Sequence, residues 1–203
     1  MFFFVVAFQA AAPLPRLSRL NAVSPSEAWA GYTTLLETAP LATKCVTATV
    51  IIGCGDAVAQ RIEGNGVDPA RVFRWAVFGL VLQAPWNHVY QNAIDAALPI
   101  PPNPLALKVA VDQFVQAPLF TALVFYFFAI IEGRGIEAGT RQIKTTLAET
   151  LLKNWIVFIP ATTVSFALVP LEYRVLFINC VFFCWVIILS LILNETKLDS
   201  ASE

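Results

Sequence analysis

The chain has 203 residues, 58% hydrophobic and only 13% charged, with a formal net charge of −1. Soluble domains carry about 25% charged residues, so a water-soluble globule is excluded for want of a polar coat, and disorder is excluded by the excess of apolar surface. A pI near 5.9 offers no basic field for nucleic acid, and a mean hydropathy of +0.69 leaves an integral membrane protein with several spans.

Residues 1–23 hold an apolar run from Phe2 to Phe8, then Arg16 and Arg19, with no acidic residue before Glu27. This segment reads either as an N-terminal tail or as an organelle targeting sequence. Ser24-Pro25-Ser26-Glu27 predicts a capped helix start. Trp29, Tyr32 and Leu36 give that helix one apolar stripe suited to the membrane interface. Pro40 opens span one, over 41–60, in which Thr49, Gly53 and Ala57 form a ridge of small residues that permits close helix contact. Span two covers 73–94. Span three starts after Asn103-Pro104, covers 105–131 and stops at Glu132-Gly133-Arg134-Gly135. Residues 136–153 are polar but periodic, with Ile136, Ile143, Leu147 and Leu151 on one stripe, and predict an amphipathic interfacial connector. Residues 154–170 form a shorter apolar run broken by Pro160, which either spans or is half buried. Val175 to Leu193 is uncharged and, as a helix, about 28 Å long, close to the ~30 Å hydrocarbon core.

The expected fold is an all-α integral membrane protein, a bundle of four to five transmembrane helices with an interfacial amphipathic connector. Its transmembrane domain covers 24–194, between the tail 1–23 and a polar C-terminal tail at 195–203. Lys and Arg crowd the loops 61–74 and 132–153 and are missing from 95–103, which predicts that the first two share one side of the membrane and the third faces the other.

Ionisable groups inside apolar runs cost about 2.5–3.5 kcal/mol at a helix centre, so they face protein or a wet cavity. Span one carries Lys44, Asp56 and Gln60. Span two carries Gln83, Asn87, His88 and Gln91. Span three carries Lys108, Asp112, Gln113 and Gln116, and Arg174 lies in the turn before the last span. Helical spacing lets Lys108 neutralise Asp112, and Lys44 offsets Asp56 within span one. The Asp56–Gln60 face is expected to point inward, toward Asp112 or Arg174. Two readings stay open for Lys44, Asp56, Gln60, His88, Lys108, Asp112, Gln113, Gln116 and Arg174: a polar lining, or interhelical contacts that fix the packing. A lining so balanced would discriminate by size more than by ion sign, with His88 adding pH dependence.

No nucleophile elbow, H-E-x-x-H or Walker loop occurs. His88 is the single histidine, and Cys45, Cys54, Cys180 and Cys184 form no C-x-x-C pair. No enzyme activity, metal or cofactor is therefore expected.

The run LLETAPLATKCVTATVIIGCGDAVAQ carries P-x-x-T-K and G-D-x-x-x-Q at Pro40, Thr43, Lys44, Gly55, Asp56 and Gln60. Pro85 and His88 follow in span two, then Asp112, Gln113, Ala117 and Pro118 in span three. Trp155, Pro160, Phe166, Val169, Pro170, Arg174, Trp185, Leu189 and Ser190 complete a C-terminal signature. In this order and spacing, over Tyr32 to Asn194, the chain resembles the family typified by the 22-kDa peroxisomal membrane protein and the mitochondrial inner-membrane protein Mpv-seventeen. It departs from the family pattern at Ala84, Tyr90, Gln91, Ile159, Thr163 and Ser165. The resemblance implies about four spans in an organelle membrane, mitochondrial inner or peroxisomal, with plastids a third site. It also implies a channel-like or homeostatic role. The expected function is a weakly selective pore for small neutral or weakly charged metabolites; the alternative is a non-conducting scaffold supporting membrane complexes or lipid organisation. The expected partners are the lipid bilayer and such metabolites, without nucleic acid; homo-oligomerisation is left open.

Overall fold

The computed structural model describes residues 24–64 and 66–201, with side chains up to Ile187; the expectations for residues 1–23 lie outside the described residues. Six helices make up the described fold. Helix α1 is Pro25–Thr38, α2 is Pro40–Ile62, α3 covers 69–97, α4 is Leu105–Ile131, α5 is Gly135–Leu168 and α6 is Leu171–Ala201. The fold is an all-α membrane protein, and among the described residues α2, α4 and α5 are each long and apolar enough to cross a bilayer.

The predicted start of α1 is a complete capping box. Ser24 Oγ accepts the Glu27 N–H at 3.2 Å, and the Glu27 carboxylate accepts the Ser24 N–H at 2.8 Å. Those hydrogen bonds from the Ser24 backbone and hydroxyl hold the exposed Glu27 carboxyl below its ordinary range. Asp68 caps α3 in the same way, accepting the Ala70 N–H at 2.8 Å, with Pro69 in the first turn.

One expected boundary is wrong. The connector 136–153 and the run 154–170 are one helix, α5, of 34 residues. Pro160 interrupts its hydrogen-bond ladder without ending it. The missing Pro160 N–H frees the Ile156 carbonyl, and membrane helices tolerate such a proline; one turn on, the Thr163 hydroxyl donates to the Ile159 carbonyl at 2.7 Å. At ~1.5 Å per residue α5 is about 51 Å long, so it must tilt or extend past a ~30 Å core. The last helix runs on into the polar tail, through Ala201.

Helices α2 to α6 alternate in direction. Lys44 meets His88 and Asp56 meets Arg71, so α2 and α3 are antiparallel. Trp75 packs on Phe128 while Asp95 meets Lys108, which sets α3 against α4. Tyr126 reaches Thr140 and Gln113 reaches Thr162, which sets α4 against α5. Lys44 of α2 lies near Glu172 of α6, and eleven residues on Gly55 lies against Phe183, so these two run parallel. Small residues permit the closest approaches, as the ridge on α2 predicts. A Cβ at Gly79 would stand 2.8 Å from the Ala48 carbonyl oxygen, so α2 and α3 touch backbone to backbone there. Phe78 is fully buried and centres an aromatic cluster, with Phe120, Phe127, Phe128 and Phe182 at centroid distances of 6.3, 5.6, 5.5 and 5.8 Å.

Helices α3 and α4 each contain one wide π turn, at Gly79–Gln83 and Asp112–Gln116. Both turns end in the same tripeptide, Gln83-Ala84-Pro85 and Gln116-Ala117-Pro118. The Ala84 N–H bonds back five residues to Gly79, and the Ala117 N–H to Asp112. A proline ring crowds the carbonyl four residues earlier and supplies no N–H, and one extra residue in the turn relieves that clash.

Candidate functional site

Most charged groups of the bundle gather at its two ends. At one end the Asp56 carboxylate, fully buried, meets Arg71 Nε at 2.9 Å. Arg71 also grips Glu63 with both terminal nitrogens, at 2.9 and 3.0 Å. Gln60 Nε2 donates to Asp56 at 2.7 Å, and Gln60 Oε1 accepts the Asp68 N–H. The Asp56–Gln60 face thus staples the α2–α3 turn. It points neither toward Asp112 nor toward Arg174, and Lys44 does not offset Asp56.

At the other end Asp95 receives both Lys108 and Arg174, the latter at 2.6 Å. Arg174 Nε also donates to the Val169 carbonyl at 3.0 Å, and Lys108 and Arg174 lie 4.8 and 5.3 Å from the centre of the Phe166 ring. The expected Lys108–Asp112 pair does not form, because the long Lys108 side chain reaches across to α3. Arg174 stands in the first turn of α6 rather than in a loop. Close by, Lys44 Nζ lies 3.4 Å from His88 Nδ1, so His88 is a neighbour of α2.

Between α3, α4, α5 and α6 lies a cavity of about 120 Å³. Gln83, Asn87 and Gln91 line it from α3 at four-residue spacing, and Asp112, Gln113 and Gln116 line it from α4. Helix α5 adds Asn154, Thr162 and Ser165. Part of the lining is aromatic, with Phe120, Phe182 and Trp185. Asp112 is the single ionisable group among the described lining residues. Its carboxylate accepts from Gln113 at 2.7 Å and from Thr162 at 3.2 Å. Trp155 fixes the adjoining turn by donating from Nε1 to the Gln113 carbonyl at 3.0 Å.

Of the nine candidate residues, Asp112, Gln113 and Gln116 share this cavity, and Lys44, Asp56, Gln60, His88, Lys108 and Arg174 do not line it. Gln83, Asn87 and Gln91, polar residues of span two outside the nine candidates, line the cavity, as does Thr162, while Arg71 and Asp95 are the ion-pair partners that helical spacing does not reveal. One signal was available: the Gln-Ala-Pro tripeptide occurs in both spans two and three, and each glutamine faces the cavity.

Protein SYM1 of Mycosarcoma maydis is 31% identical over 153 residues, covering 73% of this chain and 77% of that protein. The chain belongs to the Mpv17 / PMP22 family. The family model itself matches residues 129–190, from the end of α4 into α6. Protein SYM1 of Eremothecium gossypii is 32% identical over 163 residues, 76% of this chain and 89% of that protein. Peroxisomal membrane protein 2 of Bos taurus is 27% identical over 186 residues, 84% of this chain and 94% of that protein. No solved structure matches the chain. Seen as a Mpv17 / PMP22 protein, the chain divides its motif residues between two jobs. Asp56 and Gln60 of the first motif close a helical hairpin, whereas Asp112 and Gln113 of the third form one wall of the cavity.

Proposed function

We infer that this protein is an organelle integral membrane protein that passes small solutes, and that the cavity among α3 to α6 is part of the path. The observation that carries this reading is the wall of neutral amides deep in the bundle. Gln83 is completely buried, and neither its amide nitrogen nor its amide oxygen has a hydrogen-bond partner among the described residues. Such groups are costly unless water or a solute meets them. The aromatic cluster around Phe78 adjoins the cavity through Phe120 and Phe182 and would act as an apolar constriction.

The path differs from the one the sequence suggests. It draws on α3, α4 and α5 rather than on α2, and its one carboxylate is not balanced by a lining cation. Neutral solutes are therefore favoured over anions. Because His88 does not line the cavity, His88→Ala should leave permeation unchanged. The name of the Bos taurus relative supports a peroxisomal membrane; the family resemblance keeps the mitochondrial inner membrane and plastids as alternatives.

The test is reconstitution of the purified protein into liposomes, with neutral solutes of graded size and with cation and anion gradients. Size-limited uptake that Phe120→Ala accelerates supports permeation. Its absence from repeatedly reconstituted, folded protein favours a non-conducting scaffold, the reading that the ion-paired helix ends support.

A further inference from the structure

The cavity wall presents polar atoms whose partners are missing, and their chemistry selects what fits. Gln83 offers both an amide N–H donor and a carbonyl acceptor, and Gln91 Oε1, Gln113 Oε1 and Ser165 Oγ are likewise buried without partners among the described residues. Gln83, Gln91, Gln113 and Ser165 are 0, 4, 2 and 1% exposed. An ammonium group only donates, so it would leave the Gln83 N–H unmet. A carboxylate only accepts, so it would leave three amide oxygens unmet and would sit near the Asp112 charge. A hydroxyl donates and accepts, so hydroxyls on one short carbon chain can answer whichever of these atoms they reach.

Water shares that versatility, but the aromatic part of the lining separates the two. Phe120, Phe182 and Trp185 offer apolar ring surface, against which a carbon skeleton gains contact and water does not. The volume of about 120 Å³ is room for on the order of four waters, the scale of a small solute rather than of a sugar chain. We propose that the α3–α6 cavity is a binding site for a small neutral polyol, held by Gln83, Gln91, Gln113 and Ser165 with its carbon chain against Phe120, Phe182 and Trp185. The proposal rests on reading this cavity as the solute path and names the class of solute it takes.

The probe is erythritol, with acetate as a small anion and ethylammonium as a small cation. Equilibrium binding of radiolabelled erythritol to the full chain in lipid nanodiscs should be saturable at one site per chain. Gln83→Leu loses two hydrogen bonds to the ligand and should weaken binding at least about fivefold. It should still fold, because leucine fills similar space and removes an unpaired amide. Ser165→Ala, a smaller change, should weaken binding by a few-fold. Acetate and ethylammonium should not compete. Absence of saturable binding to the folded wild type, which means hydration only, would overturn the proposal. So would equal binding by both variants, or tighter binding of either ion. Binding is read without a gradient, so the two readings fail separately. Saturable binding without liposome flux upholds the site and rejects permeation. Flux without saturable binding does the reverse.

Discussion

Asp95 holds two cations with one carboxylate. Lys108 and Arg174 are 2 and 8% exposed, so neither has water to fall back on, and Phe166 covers both. Removing a buried charge partner costs about 3–5 kcal/mol, because the remaining charge stays desolvated. Asp95→Leu should fall toward the lower end of that range, since a quarter of its side chain is open to solvent. Adding Lys108→Leu should restore part of the loss. Denaturant titration of the two variants in detergent checks this, and a double variant weaker than the single one would contradict it. Asp95 also shows why pairing was hard to read from sequence. Spacing along a helix pointed to Asp112 as the partner of Lys108, but the true partner sits on the preceding helix. Periodicity tells which residues share a face, not what that face meets.

Elements were more legible than pairs. The box at Ser24–Glu27 and the apolar lengths lie in local sequence, and local geometry honours them, whereas Asn103 makes no cap and turns back to the Pro99 carbonyl. Where a boundary depended on tolerance rather than on local preference, as at Pro160, the reading failed. The π turns were equally hidden, because proline announces a disturbance without saying whether the helix will break, bend or widen. The α2–α3 contact gives a sharp test. Gly79→Ala places a Cβ 2.8 Å from a backbone oxygen that cannot rotate away, and overpacking of this kind costs about 1–3 kcal/mol. Gly53→Ala places its Cβ 3.4 Å from the Ala76 methyl, a contact the side chains can absorb. Thermal unfolding in detergent should therefore show a clear drop for Gly79→Ala and little change for Gly53→Ala.

For the whole molecule, strict alternation of α2 to α6 puts the α2–α3 and α4–α5 turns at one end of the bundle and the α3–α4 turn at the other. This agrees with the Lys and Arg distribution, which assigns the first two to the positive side. With Cys45, Cys54, Cys180 and Cys184 replaced by serine or alanine, Gly66→Cys and Ile100→Cys should react with an impermeant thiol reagent from opposite faces of intact organelles. Labelling of both from one face would refute the alternation as a membrane topology. The all-α class and the family were legible because hydropathy and motif order are one-dimensional; of the four to five spans expected, three described helices are long and apolar enough to cross a bilayer. The cavity was not, because it is made by four helices whose polar residues become neighbours only when the bundle closes.

The parallel pairing of α2 with α6 has a consequence for biogenesis. Among the described residues, the first long apolar helix to leave the ribosome rests its Gly55 surface on Phe183, which belongs to the last. At ~5–20 residues per second, synthesis of the intervening chain takes on the order of ten seconds. Throughout that interval the outer face of α2 has no permanent neighbour. Its charge is looked after sooner, because Arg71 follows Asp56 directly in the next helix and lets the α2–α3 hairpin enter the bilayer already neutralised. A chain stopped at Leu168 should accordingly insert residues 40–97 normally yet be cleared by quality-control proteases, and pulse-chase of that truncation against the full chain measures the difference. Supplying 169–203 as a separate segment in the same membrane should extend its lifetime.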